Sequence, residues 1–159
     1  MKNTLYVMCG IPGSGKSTFA KSRLPNALYI SRDKVRYNMV AINEAYFSKE
    51  DEVFKVFVNT INEGLAAGAD VIADATHLNP QSRAKLFARL KIDTSKTQVI
   101  AIFMNTPYET CLKRNEYRKG TREYVPPAQI EKMYKSLKKP SSDEYYGIIN
   151  KVYTITPKE

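Results

Sequence analysis

Apolar residues recur along the chain in two rhythms. Short unbroken runs at Leu5-Tyr6-Val7-Met8-Cys9, Ala27-Leu28-Tyr29-Ile30, Val71-Ile72-Ala73 and Val99-Ile100-Ala101-Ile102-Phe103 have the length of strands, the first and third reading as buried ones. Between them the spacing changes to three and four residues. Val53, Phe54, Phe57, Val58, Ile61 and Leu65 predict an amphipathic helix with Ser48 as its cap, Glu50 and Asp51 in its first turn and Gly68 as its stop. Further helices are predicted from Lys16 to about Arg23, ended by Pro25, and from Asn79-Pro80 to about Leu90. Thr106-Pro107 starts a helix carrying Leu112, Pro126-Pro127 opens one through Ile130, Met133, Tyr134 and Leu137, and Lys151 to Ile155 reads as a last strand. Short strands alternating with helices predict an α/β three-layer sandwich, a parallel sheet of about five strands flanked by helices. No repeat, low-complexity tract or linker divides it, so one domain is expected over residues 1–159.

Composition changes this picture little, but charge changes it more. The hydrophobic and charged fractions are those of a globular chain, and no run approaches the ~18 apolar residues of a membrane span. Met1-Lys2-Asn3-Thr4 leads straight into the first strand without a signal-peptide core, so the cytoplasm is the expected compartment and a membrane is not expected. Cys9 and Cys111 lack the spacing of a disulfide framework or a zinc site and read as packing residues. The formal net charge is +9. It concentrates in residues 1–40, with seven basic side chains against one acid, and in residues 111–140, with nine against three. Brought together, the two blocks would make a funnel for an anion; apart, they are solvated helix faces.

Gly10-Ile11-Pro12-Gly13-Ser14-Gly15-Lys16-Ser17 decides between these. It matches G-x-x-x-x-G-K-[ST] between a predicted strand and a predicted helix, the context a phosphate-binding P-loop requires. The fold class is therefore a P-loop NTPase sandwich. Gly10, Pro12, Gly13, Ser14, Gly15, Lys16, Ser17 and Thr18 are the candidate nucleotide-binding residues. Backbone N–H groups and the helix start would cradle the phosphates of ATP, Lys16 would reach the β/γ-phosphates, and the Ser17 hydroxyl would hold Mg²⁺.

A hydrolase of this class would follow a later apolar strand with Asp-Glu, whereas here the strand ends Asp74-Ala75-Thr76. Without a water-activating glutamate there, transfer to another acceptor is favoured. Asp33 follows the second predicted strand, and ligands of parallel sheets sit outside the carboxyl ends of strands, so Asp33 should face the crevice of Lys16. It is the candidate general base for an acceptor hydroxyl, and Arg36, three residues on, is the candidate clamp for an anionic group of that acceptor. Tyr37, Tyr46, Phe47, Tyr117, Tyr124 and Tyr134 are numerous enough to suggest nucleobase stacking, with Tyr37 beside Arg36 the first candidate; packing is the alternative.

Four patches together carry a resemblance. They are the P-loop through Thr18, Ser31-Arg32-Asp33-Lys34-Val35-Arg36, Asp74-Ala75-Thr76-His77-Leu78-Asn79-Pro80, and Lys113-Arg114-Asn115 through Val125-Pro126 to Met133-Tyr134-Lys135-Ser136. In this order they resemble the P-loop kinase domain of polynucleotide 5′-hydroxyl kinases of the kind found in T-even bacteriophages. The resemblance implies that Lys16 and Ser17 hold ATP and Mg²⁺, Asp33 is the base, and Arg36 grips the phosphate beside the 5′-OH of a DNA or RNA end. Asp74 and Thr76 are implied on the acceptor side. A helical basic lid over about 115–126 would supply an arginine against charge on the transferred phosphoryl group. Arg118 matches that arginine, but one extra residue in Arg118-Lys119-Gly120 makes Arg122 a rival, and His77 stands where the family commonly has asparagine. No D-x-D-G-T phosphatase motif occurs in these residues, so the expected activity is kinase alone.

Two other readings stay open on the residues. D-x-x-R after a second strand also suits a kinase for a hydroxyl of a small anionic metabolite or nucleotide. A nucleotide-dependent switch would bind ATP without transferring phosphate to any hydroxyl, and the Asp33/Arg36 pairing argues against it.

Overall fold

Every predicted apolar run forms a strand, and each face of the resulting sheet takes alternate residues from it. β1 (Asn3–Cys9), β2 (Leu28–Ser31), β3 (Val71–Asp74), β4 (Thr97–Met104) and β5 (Lys151–Ile155) form one sheet in the order β2-β3-β1-β4-β5, with every neighbouring pair parallel. The computed structural model describes residues 2–157; Met1, Lys158 and Glu159, the ends of the domain predicted from the sequence, lie outside the described residues.

The period of two assigns the core. Leu5, Val7, Cys9, Val71, Ala73, Val99, Ala101 and Phe103 face one layer, and Met8, Ile72, Ile100, Ile102 and Met104 face the other. The first layer is α3 (Glu50–Ala66) and α4 (Pro80–Arg89), through Phe54, Phe57, Ile61, Leu65, Leu86 and Phe87. The second is α1 (Lys16–Arg23), through Phe19 and Ala20. α2 (Arg32–Met39) follows β2 directly, while α5 (Tyr108–Glu116) and α6 (Pro127–Ser136) enclose a small core of Ile11, Cys111 and Ile130 beside the P-loop. Tyr145–Gly147 make a single 3₁₀ turn before β5.

Two expectations change. α3 begins one residue later than expected: Lys49, not Ser48, is the N-cap and makes no side-chain bond, while Ser48 closes the preceding turn with its N–H on the Ala45 carbonyl at 3.0 Å. The basic lid is helical only where α5 ends; Arg118, Lys119, Thr121 and Tyr124 then close successive turns onto carbonyls three residues back, up to Pro126 at the start of α6. By contrast, Asn79 caps α4 as the sequence indicates, accepting from the Ser82 N–H at 2.9 Å while Ser82 Oγ accepts from the Asn79 N–H at 3.1 Å.

A buried ion pair fixes the segment after β3. Arg83 donates from Nε and Nη2 to Glu144 at 2.8 and 2.9 Å and from Nη1 to the His77 carbonyl at 2.7 Å. Arg83→Met leaves Glu144 without its partner, at an expected cost of about 3–5 kcal/mol in urea unfolding, and Arg83→Met/Glu144→Leu should recover most of it. A loss under about 1 kcal/mol for the single variant would show that the carboxylate escapes to water.

Candidate active site

Strand order and register place the chemistry. β1 lies between β3 and β4, so the crevice beyond its carboxyl end is where the chain's crossovers diverge to the two halves of the sheet. Met8 pairs in register with Asp74, and Asp74 with Ser31. The P-loop after β1, Asp74 at the end of β3 and the start of α2 after β2 therefore share one edge. Ser31 caps α2, accepting from the Lys34 N–H at 3.3 Å, and this puts Asp33 in the first turn, where its charge suits the helix dipole.

The P-loop is shaped by two left-handed residues and held from behind. Gly13 and Gly15 have φ of 83° and 92°, and a Cβ on Gly13 would meet the Cys111 carbonyl oxygen at 2.7 Å. Thr106 Oγ1 donates to the Ser14 carbonyl at 2.7 Å, Arg114 Nη1 to the Gly13 carbonyl at 3.0 Å, and the Gly10 N–H to the Thr76 carbonyl at 2.9 Å. With these carbonyls engaged outward, the N-terminus of α1 is directed at the cavity. Lys16 Nζ rests on the Ile11 carbonyl at 3.2 Å, its ammonium pushed down by burial against the pull of Asp74 and Asp33.

One cavity of about 390 Å³ joins the predicted residues. Pro12, Gly13, Gly15, Lys16, Ser17 and Thr18 line it together with Asp33, Arg36 and Tyr37, and Asp74, Thr76 and Arg118 are also in its wall. Gly10 and Ser14, both buried, do not line it, and Ser14 Oγ has no hydrogen-bond partner among the described residues. A triphosphate fits this cradle of N–H groups, lysine and hydroxyls. A magnesium ion fits the donor set as well, since it takes few protein ligands beside phosphate and water. Ser17 lies in the wall, and no cluster of three or more His, Cys, Asp or Glu offers a dedicated metal cage among the described residues.

Asp74 and the acceptor side were only partly legible in the sequence. Asp74 is buried and accepts a short hydrogen bond from the Tyr29 hydroxyl; burial pushes its carboxyl up, with Lys16 and Tyr29 pulling the other way. Asp33 is open to solvent, with 64% of its side chain exposed. Its Oδ1 accepts from Arg36 Nη1 at 2.6 Å and from the Tyr46 hydroxyl at 3.0 Å. Arg36 is only 6% exposed. It is gripped bidentately by Glu50, through Nε at 2.9 Å and a shorter Nη2 contact, and Arg32 Nη2 shares the same carboxylate at 3.0 Å. Burial alone would raise the Glu50 carboxyl, but Arg36 and then Arg32 hold it below the usual carboxylate range. Sequence reasoning used Glu50 only as a helix-start acid. Its partner lies fourteen residues back, a separation that no helical or strand period signals.

The two lid arginines part company. Asn115, fully buried, donates from Nδ2 to the Val125 carbonyl at 2.7 Å and accepts from the Val125 N–H at 3.0 Å, closing the base of the lid. Arg118 projects into the cavity wall, near enough to Lys16 that its charge helps to lower the lysine. Arg122 does not line the cavity: its Nη2 and Nη1 donate to the Val40 and Tyr37 carbonyls at 2.6 and 3.4 Å, and its guanidinium covers the Tyr37 ring at 4.7 Å. It ties the lid to the C-terminal end of α2.

His77 and Cys9 are structural. Burial pushes the Cys9 thiol up to about 12. His77 has φ of 41° and donates from Nδ1 to the Met8 carbonyl at 2.7 Å, which fixes the neutral tautomer. Burial drops its pKa to about 4, from an ordinary histidine value of 6.5. Protons therefore bind the unfolded chain first as pH falls, and stability should decline by about 3 kcal/mol between about pH 6.5 and 4. Asparagine tolerates the left-handed conformation, so His77→Asn should fold and flatten urea midpoints across that range. An unchanged slope in the variant would remove His77 as the cause.

Comparison with known proteins adds four findings. The AAA domain family matches residues 5–140. A protein of Autographa californica nuclear polyhedrosis virus, provisionally named a bifunctional polynucleotide kinase/RNA ligase, is 32% identical over 155 residues, covering 89% of this chain and 22% of the viral one. Among solved structures, a chain of the Pnkp1/Rnl/Hen1 RNA repair complex superposes with a TM-score of 0.72 at 25% identity, over 86% of this chain and 44% of that one. A fungal RNA kinase superposes with a TM-score of 0.71 at 12% identity, over 100% of this chain and 76% of that one, which shows the fold. The chain thus spans about a fifth of the viral relative and under half of the repair-complex chain.

Proposed function

The chain belongs to the P-loop AAA-domain family, and from that premise we propose that it is an ATP-dependent kinase for the 5′-hydroxyl end of a polynucleotide. The observation that carries the reading is the single cavity in which an exposed carboxylate, Asp33, bonded to the guanidinium of Arg36, faces a P-loop. The viral relative named for polynucleotide kinase activity supports the choice of acceptor.

The P-loop N–H groups, Lys16 and Thr18 would hold the donor phosphates, and Ser17 Oγ would hold Mg²⁺, whose role is to offset their charge. Tyr46 and Arg36 both bond Oδ1 of Asp33, leaving Oδ2 to accept the proton of the acceptor hydroxyl. As the hydroxyl oxygen bonds to the γ-phosphorus, the bond to the β–γ bridging oxygen breaks, ADP leaves, and the proton rests on Asp33. Arg118 would meet the charge gathering on the transferred oxygens. Arg36 and Arg32 share the Glu50 carboxylate and Arg36 also bonds Asp33, so the four groups are formally neutral at rest, and the proton taken up by Asp33 would leave a positive charge beside the backbone phosphate next to the reacting end.

The test is transfer of labelled γ-phosphate from ATP to a short 5′-OH oligonucleotide, beside the same oligonucleotide already 5′-phosphorylated. Label on the first alone is expected. Label on small anionic hydroxyl compounds and on no oligonucleotide would overturn the reading in favour of a metabolite kinase.

A further inference from the structure

We propose that Phe47 is the stacking platform for the terminal nucleobase of the acceptor strand. The inference rests on the polynucleotide reading above and gives its acceptor site a further subsite. Phe47 sits on the connection between α2 and α3 and lines the cavity, yet it is 55% exposed. Burial therefore does not explain the placement of so large a ring beside a charged cleft.

The ring is held by the groups assigned to the reaction. Tyr46 packs edge-on against it at 4.9 Å and 85°, and the Arg36 guanidinium covers it at 5.2 Å. Tyr46 also bonds Asp33 through its hydroxyl at 3.0 Å, and Arg36 bonds Asp33 at 2.6 Å. Base, phosphate clamp and aromatic ring thus form one connected unit. In a nucleotide the 5′-oxygen, the 3′-phosphate and the base all hang from one ribose. With the 5′-oxygen at Asp33 and the 3′-phosphate at Arg36, the base must lie against the wall that adjoins both.

Three aromatic rings make that wall, and two are engaged. Tyr37 lies under the Arg122 guanidinium, and Tyr46 is half-buried with its hydroxyl between Asp33 and Arg36. Phe47 is touched by the Arg36 guanidinium and by Tyr46 yet keeps more than half its surface in solvent, and that exposed area is what a base could stack on. It has no donor or acceptor with which to read base edges, so it should accept every base and favour the larger purine rings.

The experiment crosses protein with substrate: wild type and Phe47→Ala, each on 5′-OH oligonucleotides whose terminal residue is intact or abasic. Phe47→Ala should raise KM for the intact oligonucleotide roughly 5- to 100-fold, with kcat and the KM for ATP within about twofold of wild type, which also reports an intact fold. Wild type on the abasic end should lose a similar factor, and Phe47→Ala on the abasic end nothing further. Phe47→Trp should restore the intact KM. Losses that multiply, or an unchanged KM in Phe47→Ala, would overturn the platform while leaving the kinase reading in place. Wild type that labels small hydroxyl compounds and no oligonucleotide would instead overturn the kinase reading, and this subsite with it.

Discussion

Asp33→Asn should lower kcat for transfer to a 5′-OH oligonucleotide by about 10²–10⁴-fold, the usual contribution of a positioned general base, with ATP binding unchanged. The substitution suits the site because asparagine keeps an oxygen in place of Oδ1, which can still accept from Arg36 at 2.6 Å and Tyr46 at 3.0 Å. What it removes is the oxygen that takes the proton, not the scaffold. Asp33 is exposed and its ion pair with Arg36 contributes little to folding, so the melting temperature should barely move. Initial rates over a range of oligonucleotide concentrations, with ATP affinity measured separately, distinguish a lost base from a lost pocket. A variant that keeps more than about a tenth of kcat would place the proton elsewhere, because a general base cannot supply a large acceleration if its loss costs so little.

The same residues mark where sequence reasoning stops. The strands and the P-loop could be read directly because their signals are local: apolar runs, a period of three and four in α3, a glycine pattern between strand and helix. Asp33 and Arg36 could be paired in advance because three residues on a helix is itself a geometry. Glu50 and Tyr29 were out of reach as site residues and Tyr46 was legible only as an aromatic, not as a partner of Asp33, since each acts across a fold contact, Tyr29 on Asp74 forty-five residues away. Arg36 shows the consequence: a free anion clamp in the sequence, it is a buried guanidinium shared between two carboxylates in the fold. The lid departs from expectation in part, for a different reason. A helical lid is expected, but Gly120 adopts a φ of 89° and the chain from Arg118 to Tyr124 runs in successive turns.

That lid decides the remaining large effect. Arg118→Ala should lower kcat by about 10³–10⁵-fold, the contribution of an arginine set against a transferring phosphoryl group, while KM for the oligonucleotide changes far less. Arg122→Ala should lower kcat less than about tenfold. The sequence offers Arg118 as the match and Arg122 as its rival, four residues apart in one basic loop, but their surroundings are opposite. Arg118 lines the cavity near Lys16, where positive charge without a phosphate is unfavourable and charge on a transferred phosphoryl group would relieve it. Arg122 is already engaged, with the Val40 and Tyr37 carbonyls and the Tyr37 ring, and its loss removes hydrogen bonds worth roughly 0.5–1.5 kcal/mol each. Arg122→Ala should therefore show itself in thermal melting and in protease cutting of the lid rather than in chemistry. Arg118→Lys adds the sharper comparison, because a point charge restores electrostatics without the planar fork, so its recovery measures how much of the effect is charge and how much is geometry. If Arg122→Ala proved the slower enzyme, the lid would have to release α2 and swing Arg122 inward during each turnover, and the carbonyl contacts seen at α2 would be those of a resting state.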